Sequence, residues 1–331
     1  MKKINVGIIG YGNVGRGVKQ ALEKNADMKL VAILTRRPER VRKEIKDVHV
    51  FRTDESLPKS FEIDVAVLCG GSKKDMPIQG PKFAAKYNTV DSFDTHADIP
   101  SYFKKMDSIA KKHGNVSIIS AGWDPGIFSL ERVLGGAFLP ESKRYTFWGK
   151  GVSLGHSDAA RRVKGVSDAI QYTIPIEKAI QRIRAGDAPD FSKTEMHKRV
   201  VYVVPEEGAD LKKIRKEITE MPKYFEGYDT EVIFITEKEM KKHSTFPHGG
   251  FVFTSGVTGD SNRQILEYKC QLENNSEFTA SVLVACARAA YRLNEKGYRG
   301  AFTFLDFPLS FLIESEFSAC FESRARRNPS P

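Results

Sequence analysis

The segment INVGIIGYGNVGRGVKQALEKNAD, which begins at Ile4, constrains the fold more than any other. Residues 4–9, INVGII, are short, apolar and rich in β-branched side chains, the pattern of a strand buried on both faces of a parallel sheet. Gly10-Tyr11-Gly12-Asn13-Val14-Gly15 follows at once, and Val18, Leu22 and Ala26 then recur on one face at helical spacing. Strand, GxGxxG turn and helix in this order predict a dinucleotide site. Gly10 allows the tight turn, Gly12 lets the backbone approach a pyrophosphate, and Gly15 lets helix and sheet pack closely. The helix N-terminus then presents free N–H groups to phosphate. The basic start MKK and its apolar run read as this strand and not as a signal peptide, because glycines and Asn13 interrupt the run and no small-residue cleavage site follows.

MKLVAILTRR, FEIDVAVLCGG, TVDSFD and NVSIISAG read as further strands. Between them, DMPIQGPKFAAKYN reads as helical after Pro81, and SYFKKMDSIAKKHG as an amphipathic helix closed by Gly114. Alternation over about 125 residues predicts an α/β, Rossmann-type doubly wound parallel sheet. Beyond it, HKRVVYVVPE, DTEVIFITE, GGFVFTSGVTG and RQILEYKCQLE are longer, partly alternating segments. They predict an α+β domain with a mixed or antiparallel sheet, flanked by helices at LKKIRKEITEM and TASVLVACARAAYRLNEKG.

Composition narrows the partners. A formal net charge of +10 over 331 residues suits nucleic acid or a polyanionic substrate. The basic residues are interleaved with acids, without a basic block carrying exposed aromatics, so nucleic acid is not expected. No apolar run approaches the ~20 residues that span a bilayer, so no membrane partner is expected. Cys69, Cys270, Cys286 and Cys320 are widely spaced without a CxxC pair. They read as isolated thiols of a reducing cytoplasm, and no metal site is expected.

At the end of the second strand, where an NAD site carries Asp or Glu, the chain has Thr35-Arg36-Arg37. A hydroxyl and two guanidinium groups suit a 2′-phosphate, so NADP(H) is the expected cofactor. Cys69, Gly70, Gly71 and Ser72 end the third strand and are placed under the diphosphate and nicotinamide ribose. Asp91-Ser92-Phe93 and Ala121-Gly122-Trp123-Asp124-Pro125 end the next two strands and are expected to border the same crevice. On those loops Asp94 and Asp124 suit a substrate ammonium, with Trp123 walling the pocket from water. The plain alternatives are a helix cap for each aspartate and a core plug for Trp123.

These motifs carry a resemblance. VGIIGYGNVGR, TRR, DSFDTH, SAGWDPGIFS, TFWGKGVSLGHSDAARRVKGV, QYTIP, HKRVVYVV, MPKYFEGY, PHGG, EFTAS and GAFTFLDFP occur in order from about residue 4 to 309. In these stretches the chain resembles the meso-diaminopimelate dehydrogenases. The resemblance implies NADP-dependent oxidative deamination of meso-2,6-diaminopimelate at its D-centre, giving L-2-amino-6-oxopimelate and ammonia. It implies Asp94 and Asp124 at the D-centre amine as the catalytic carboxylates, with Trp123 and Trp148 beside them. Thr173, Arg199 and His248 fall on positions that hold the distal L-centre, and Asn275 on another substrate contact. His156 in GHSD is an alternative base. From their residue types alone, Arg199 reads as a surface cation and His248 as a turn histidine. The implied organisation is a dinucleotide-binding domain over 1–122, completed by residues from about 276–312, a substrate-binding and homodimer-forming domain over 123–275, and an atypical tail over 313–331.

Two departures accompany the match. Leu154 stands where many members carry Gln, which suits relaxed specificity towards D-amino acids or a neutral change. The tail IESEFSACFESRARRNPSP does not continue the family pattern. The competing readings are a broad-specificity D-amino-acid dehydrogenase and, more remotely, a non-catalytic NADPH-binding regulator.

Overall fold

Six consecutive buried residues make β1 (Ile4–Ile9) an interior strand, as its unbroken apolar run requires. The computed structural model describes residues 2–55, 57–58, 61–243 and 247–314, with the Leu154 side chain outside that description. After β1 come α1 (Asn13–Glu23), β2 (Met28–Thr35), α2 (Pro38–Glu44), β3 (His49–Arg52), β4 (Val65–Leu68), α3 (Met76–Ala84), β5 (Asn88–Asp91), α4 (Ile99–His113), β6 (Val116–Ile118) and α5 (Ile127–Phe138). The chain continues through β7 (Ser142–Trp148), β8 (Gly151–Val152), α6 (Leu154–Arg161), β9 (Val166–Pro175), α7 (Glu177–Arg184), α8 (Lys193–Met196) and β10 (His197–Pro205). It ends with α9 (Leu211–Thr219), β11 (Asp229–Phe234), α10 (Glu237–Met240), β12 (His248–Thr258), β13 (Asn262–Leu272), α11 (Asn275–Glu295) and β14 (Gly300–Phe302).

Two compact units result, the first formed by residues up to Leu130 and from Ser276 on, the second by Glu131–Asn275. The division expected after Gly122 thus comes eight residues later, inside α5.

In the first unit seven strands form one parallel sheet in the order β14-β6-β5-β4-β1-β2-β3. This is the expected Rossmann-type arrangement, with its topological switch at β1 between β2 and β4. One face buries Val6 and Ile8 against Val18 and Leu22 of α1 and Leu283 and Ala287 of α11. The other buries Leu34 and Leu68 against Phe83 of α3 and Met106 of α4. A buried Arg288 on α11 donates to both carboxylate oxygens of Asp27 at 2.6 and 2.8 Å and to the Leu312 carbonyl. These bonds fasten the C-terminal return onto the loop before β2. Residues 315–331, Cys320 among them, lie outside the described residues.

One helix differs from the expectation. α3 begins at Met76, not after Pro81, and carries Pro81 inside it. Proline removes the N–H that would bond the Pro77 carbonyl. Lys105 of α4 donates its Nζ to that carbonyl instead, at 3.3 Å, so the helix runs through the proline without orphaning the acceptor.

The second unit has a mixed sheet β11-β10-β9-β8 and an antiparallel sheet β13-β12-β7. Val201, Val203 and Ala169 on one face of the mixed sheet pack against Ile214 and Ile218 of α9. Phe147 and Phe253 of the antiparallel sheet pack on Ile180 and Ile183 of α7. Among the described residues no helix is long and apolar enough to cross a membrane.

Candidate active site

The turn between β1 and α1 has the geometry its glycines require. Gly10 holds φ at +95°, a conformation in which a side chain is strained. A Cβ at Gly15 would run into the Gly10 carbonyl, so helix and turn meet closely only through glycine. A Cβ at Gly12 would meet no protein atom within 4 Å. Packing therefore does not demand glycine there, whereas the close approach of a ligand does. No side chain caps the N-terminus of α1, which leaves its first N–H groups to whatever occupies the cavity in front of them.

That cavity has a volume of about 490 Å³. It brings together Gly10, Tyr11, Gly12, Asn13, Thr35, Arg36, Arg37, Cys69, Gly70 and Gly71 of the expected set. Arg16 and Arg40 also line it, as do Thr53, Asp75 and Gln79. These five were not singled out in the sequence, because their approach depends on how α1, α2 and α3 are seated around the strand ends. Asp75 organises the rim: it accepts from the Gly71 N–H at 2.8 Å and pairs with Arg36 at 3.2 Å. The Thr35 hydroxyl accepts from the Arg37 N–H at 3.3 Å, which turns the chain at the end of β2. The lining offers several guanidinium groups and no carboxylate at the end of β2. Burial pushes the Cys69 thiol well above its ordinary range, which suits packing and not nucleophilic work.

Val14 and Gly15 lie in the first turn of α1. Asp91, Phe93 and Ala121 are fully or almost fully buried. The Asp91 side chain is used within the protein. Its Oδ1 accepts from the Phe93 and Ser120 N–H groups at 3.0 and 3.1 Å, and its Oδ2 from the Tyr102 hydroxyl at 2.8 Å. Burial raises the Asp91 carboxyl above the usual range while these bonds pull the other way. One buried carboxylate thus fastens the two loops that carry Asp94 and Asp124. Ser72 adds a tie by accepting from the Asp94 N–H at 2.9 Å. Ser92 is half-buried, and Asp94 itself is exposed.

The GWDPG turn shows what its unusual composition does locally. Gly122 and Gly126 are bridged so closely that a Cβ at Gly126 would collide with the Gly122 backbone. The Ile127 N–H donates to the Gly122 carbonyl at 3.1 Å and the Phe128 N–H to the Trp123 carbonyl at 2.8 Å, leading directly into α5. Trp123 is buried, its ring edge-on to Phe128 at 5.1 Å between centroids. Asp124 and Pro125 remain half-buried on the turn.

In the second unit, β9 and β10 run antiparallel with Thr173 opposite Arg199, so the two side chains share one face of the sheet. Arg199 is buried, stacks on the Tyr228 ring at 3.9 Å, and its Nε has no hydrogen-bond partner among the described residues. It is no surface cation. Gln171, two residues before Thr173 and so on the same face, donates Nε2 to the Thr173 hydroxyl at 3.2 Å, and its Oε1 also has no partner among the described residues. His248 packs beside Gly151, the residue paired with Thr173: a Cβ at Gly151 would meet its ring at 2.5 Å. Trp148, at the end of β7, donates its N–H to His197 Nε2 at 2.9 Å and stacks on that imidazole at 5.5 Å. Asn275 opens α11. Leu154 begins α6, and its side chain lies outside the described residues. A further cavity of about 600 Å³ is lined by Tyr172, Ile174, Val200 and Tyr202, which project from the opposite face of the mixed sheet, and by His248.

His197 carried no sequence signal, because its role exists only once β7 and β10 are adjacent. Burial and the Arg199 guanidinium push both His197 and His156 down to about 4. The Trp148 bond needs an unprotonated Nε2, in keeping with a neutral ring. His156, bonded to Ser153 at 2.7 Å and edge-on to Tyr224 and Phe225, has the surroundings of a structural histidine. An unfolded imidazole protonates near 6.5, whereas these two resist until about 4. The stability they contribute is therefore complete above that unfolded value and is lost as pH falls towards 4, by about 3 kcal/mol per ring. Urea unfolding of the wild type at a series of pH values is expected to show this acid loss, and His197→Asn to show less of it. Equal acid sensitivity in the variant would contradict the assignment to His197.

Residues 122–274 match the family profile of the diaminopimelic acid dehydrogenase C-terminal domain, and residues 4–99 that of the NAD-binding Rossmann fold of an oxidoreductase family. The chain is 53% identical over 313 residues to the meso-diaminopimelate D-dehydrogenase of Ureibacillus thermosphaericus, covering 94% of this chain and 96% of that protein. It is 45% identical over 307 residues to the meso-diaminopimelate D-dehydrogenase of Corynebacterium glutamicum, covering 92% and 94%. A solved structure of the C. glutamicum DAP dehydrogenase in complex with DAP superposes with a TM-score of 0.90 at 42% identity, covering 97% of this chain and 99% of that one. An engineered D-amino acid dehydrogenase bound to NADP+ gives 0.85 at 41% identity, again over 97% and 99%. The chain belongs to the meso-diaminopimelate dehydrogenase family.

Proposed function

We propose that this protein deaminates meso-2,6-diaminopimelate oxidatively at its D-centre with NADP+, giving L-2-amino-6-oxopimelate, ammonia and NADPH, and runs the reductive amination in reverse. The observation that carries this reading is the buried, incompletely bonded Arg199 opposite Thr173, an anion site suited to a carboxylate. Family membership supplies the reaction class.

The glycine turn, the uncapped α1 N-terminus and Arg36 and Arg37 would hold the cofactor, the arginines taking its 2′-phosphate. When bound, NADP+ supplies the hydride acceptor. The protein's own part is proton chemistry and geometry. Asp94 and Asp124 hold the D-centre ammonium, one of them takes a proton from it as the Cα–H bond breaks, and the same carboxylates orient the water that attacks the resulting substrate iminium and displaces ammonia. Trp123 walls the reacting end from bulk water. Thr173, Arg199, His248 and Asn275 hold the distal L-centre.

Leu154 favours a second reading, tolerance of D-amino acids without a distal carboxylate, since Leu cannot make the hydrogen bond of an amide at that position. On the main reading the enzyme is a cytoplasmic homodimer. Free thiols at Cys69, Cys270 and Cys286 support a reducing compartment, and Ile265 and Leu266 on the exposed strand β13 support a subunit contact through the second unit.

Incubation with NADP+ and meso-diaminopimelate is expected to release one ammonia per NADPH formed. NADPH without ammonia, or ammonia without NADPH, would contradict the assigned reaction. Replacing Arg36 and Arg37 together by alanine is expected to raise KM for NADP+ by roughly 10- to 100-fold, the loss of charge-assisted bonds to one phosphate. KM for NAD+ should change far less. A parallel rise for both cofactors would place the arginines elsewhere than at the 2′-phosphate.

A further inference from the structure

The geometry points to Gln171 as a positioning residue for the distal end of the substrate, acting through Thr173; this rests on the reading above that Thr173 binds the distal carboxylate. The threonine hydroxyl has one hydrogen and can either donate or be used up internally. Gln171 Nε2 donates to Thr173 Oγ1 at 3.2 Å, so the hydroxyl accepts from inside the protein and its hydrogen is left for a ligand. An anionic ligand needs that donor.

Gln171 is itself held from both sides. Its backbone N–H donates to the Ser157 hydroxyl at 2.9 Å, and its carbonyl accepts from the Ser153 N–H at 3.0 Å, both on or beside α6. The Ser157 hydroxyl in turn donates to the Ser153 carbonyl at 2.7 Å. The amide is fully buried, and among the described residues neither its Oε1 nor the Nε of Arg199 on the same sheet face has a partner. Such polar groups are costly to bury for packing alone. Gln171 therefore sets the polarity of Thr173, leaving the hydroxyl hydrogen free for a carboxylate and so selecting a carboxylate-bearing end group over an apolar tail.

The test is a set of steady-state measurements on Gln171→Leu, Gln171→Glu, Thr173→Val and the double variant Gln171→Leu/Thr173→Val. Substrates are meso-diaminopimelate and D-lysine, the same molecule lacking only the distal carboxylate. Gln171→Leu is expected to raise KM for meso-diaminopimelate about tenfold with kcat within about twofold, the loss of one bond to a charged group. The preference for meso-diaminopimelate over D-lysine in kcat/KM should fall by a similar factor. The double variant should show less than the product of the single losses, because both act on one hydroxyl. Gln171→Glu keeps the shape but can only accept, so it should lose at least as much, and it serves if the leucine variant fails to fold. Equal losses on both substrates, or fully multiplicative losses in the double variant, would overturn the role. A wild type that does not turn over meso-diaminopimelate at all would instead overturn the functional reading beneath it.

Discussion

Asp124→Asn is expected to lower kcat for meso-diaminopimelate by roughly 10²- to 10⁴-fold, the usual worth of a positioned general base. The substitution is nearly isosteric, and the turn that carries residue 124 has backbone and packing ties of its own. It is fixed by the Gly122–Gly126 bridge, by two backbone hydrogen bonds into α5 and by burial of Trp123 on Phe128. The loss should therefore fall on kcat, with NADPH affinity and melting temperature close to wild type. An asparagine can still orient an ammonium or a water but cannot take a proton, so comparison with Asp94→Asn separates the two carboxylates. The variant with the larger kcat loss identifies the base. Near-wild-type rates for both would remove the carboxylates from the chemistry.

Arg199→Met is expected to raise KM for meso-diaminopimelate by roughly 10²- to 10³-fold, the scale of truncating one side of a buried charged pair. Lysine should not restore it, because a point charge cannot reproduce a planar, two-pronged donor stacked on Tyr228. The same substitution should leave the protein as stable as wild type or more so. A buried guanidinium with an unpaired Nε costs desolvation that an apolar side chain of similar volume does not. Burial already lowers the Arg199 guanidinium pKa from its ordinary value. Weakened binding with undiminished stability is the signature of a residue kept for its ligand. Lost stability together with unchanged KM would make Arg199 a structural cation.

Much of this was legible in the sequence because its signals are local. The buried run of β1, the glycine spacing and the absence of a carboxylate at Thr35-Arg36-Arg37 are each read within a few residues, and the glycine turn and Thr35-Arg36-Arg37 line one cavity. What escaped depended on partners distant in sequence. β3 carries only a short HVFR run at the sheet edge, too polar to announce itself. The start of α3 depended on Lys105 satisfying a carbonyl beside a proline. Asp91 stands at a strand end, and the Tyr102, Phe93 and Ser120 donors that make its side chain a clamp are not apparent from the sequence. Arg199 reads as a surface cation until Thr173 is found opposite it across the β9–β10 register. Gln171 and His197 have no meaning until the strands are paired.

The most direct test of the central claim is NADP+ reduction with meso-, LL- and DD-diaminopimelate offered separately, alongside D-alanine. Rapid turnover of the meso isomer, with the LL isomer inert, is the predicted result, since the proposed reaction takes place at a D-centre and the LL isomer has none. D-alanine turnover comparable to the meso isomer would assign the specificity to Leu154 and the broader reading. No turnover of any substrate, by an enzyme shown to bind NADPH, would contradict the account.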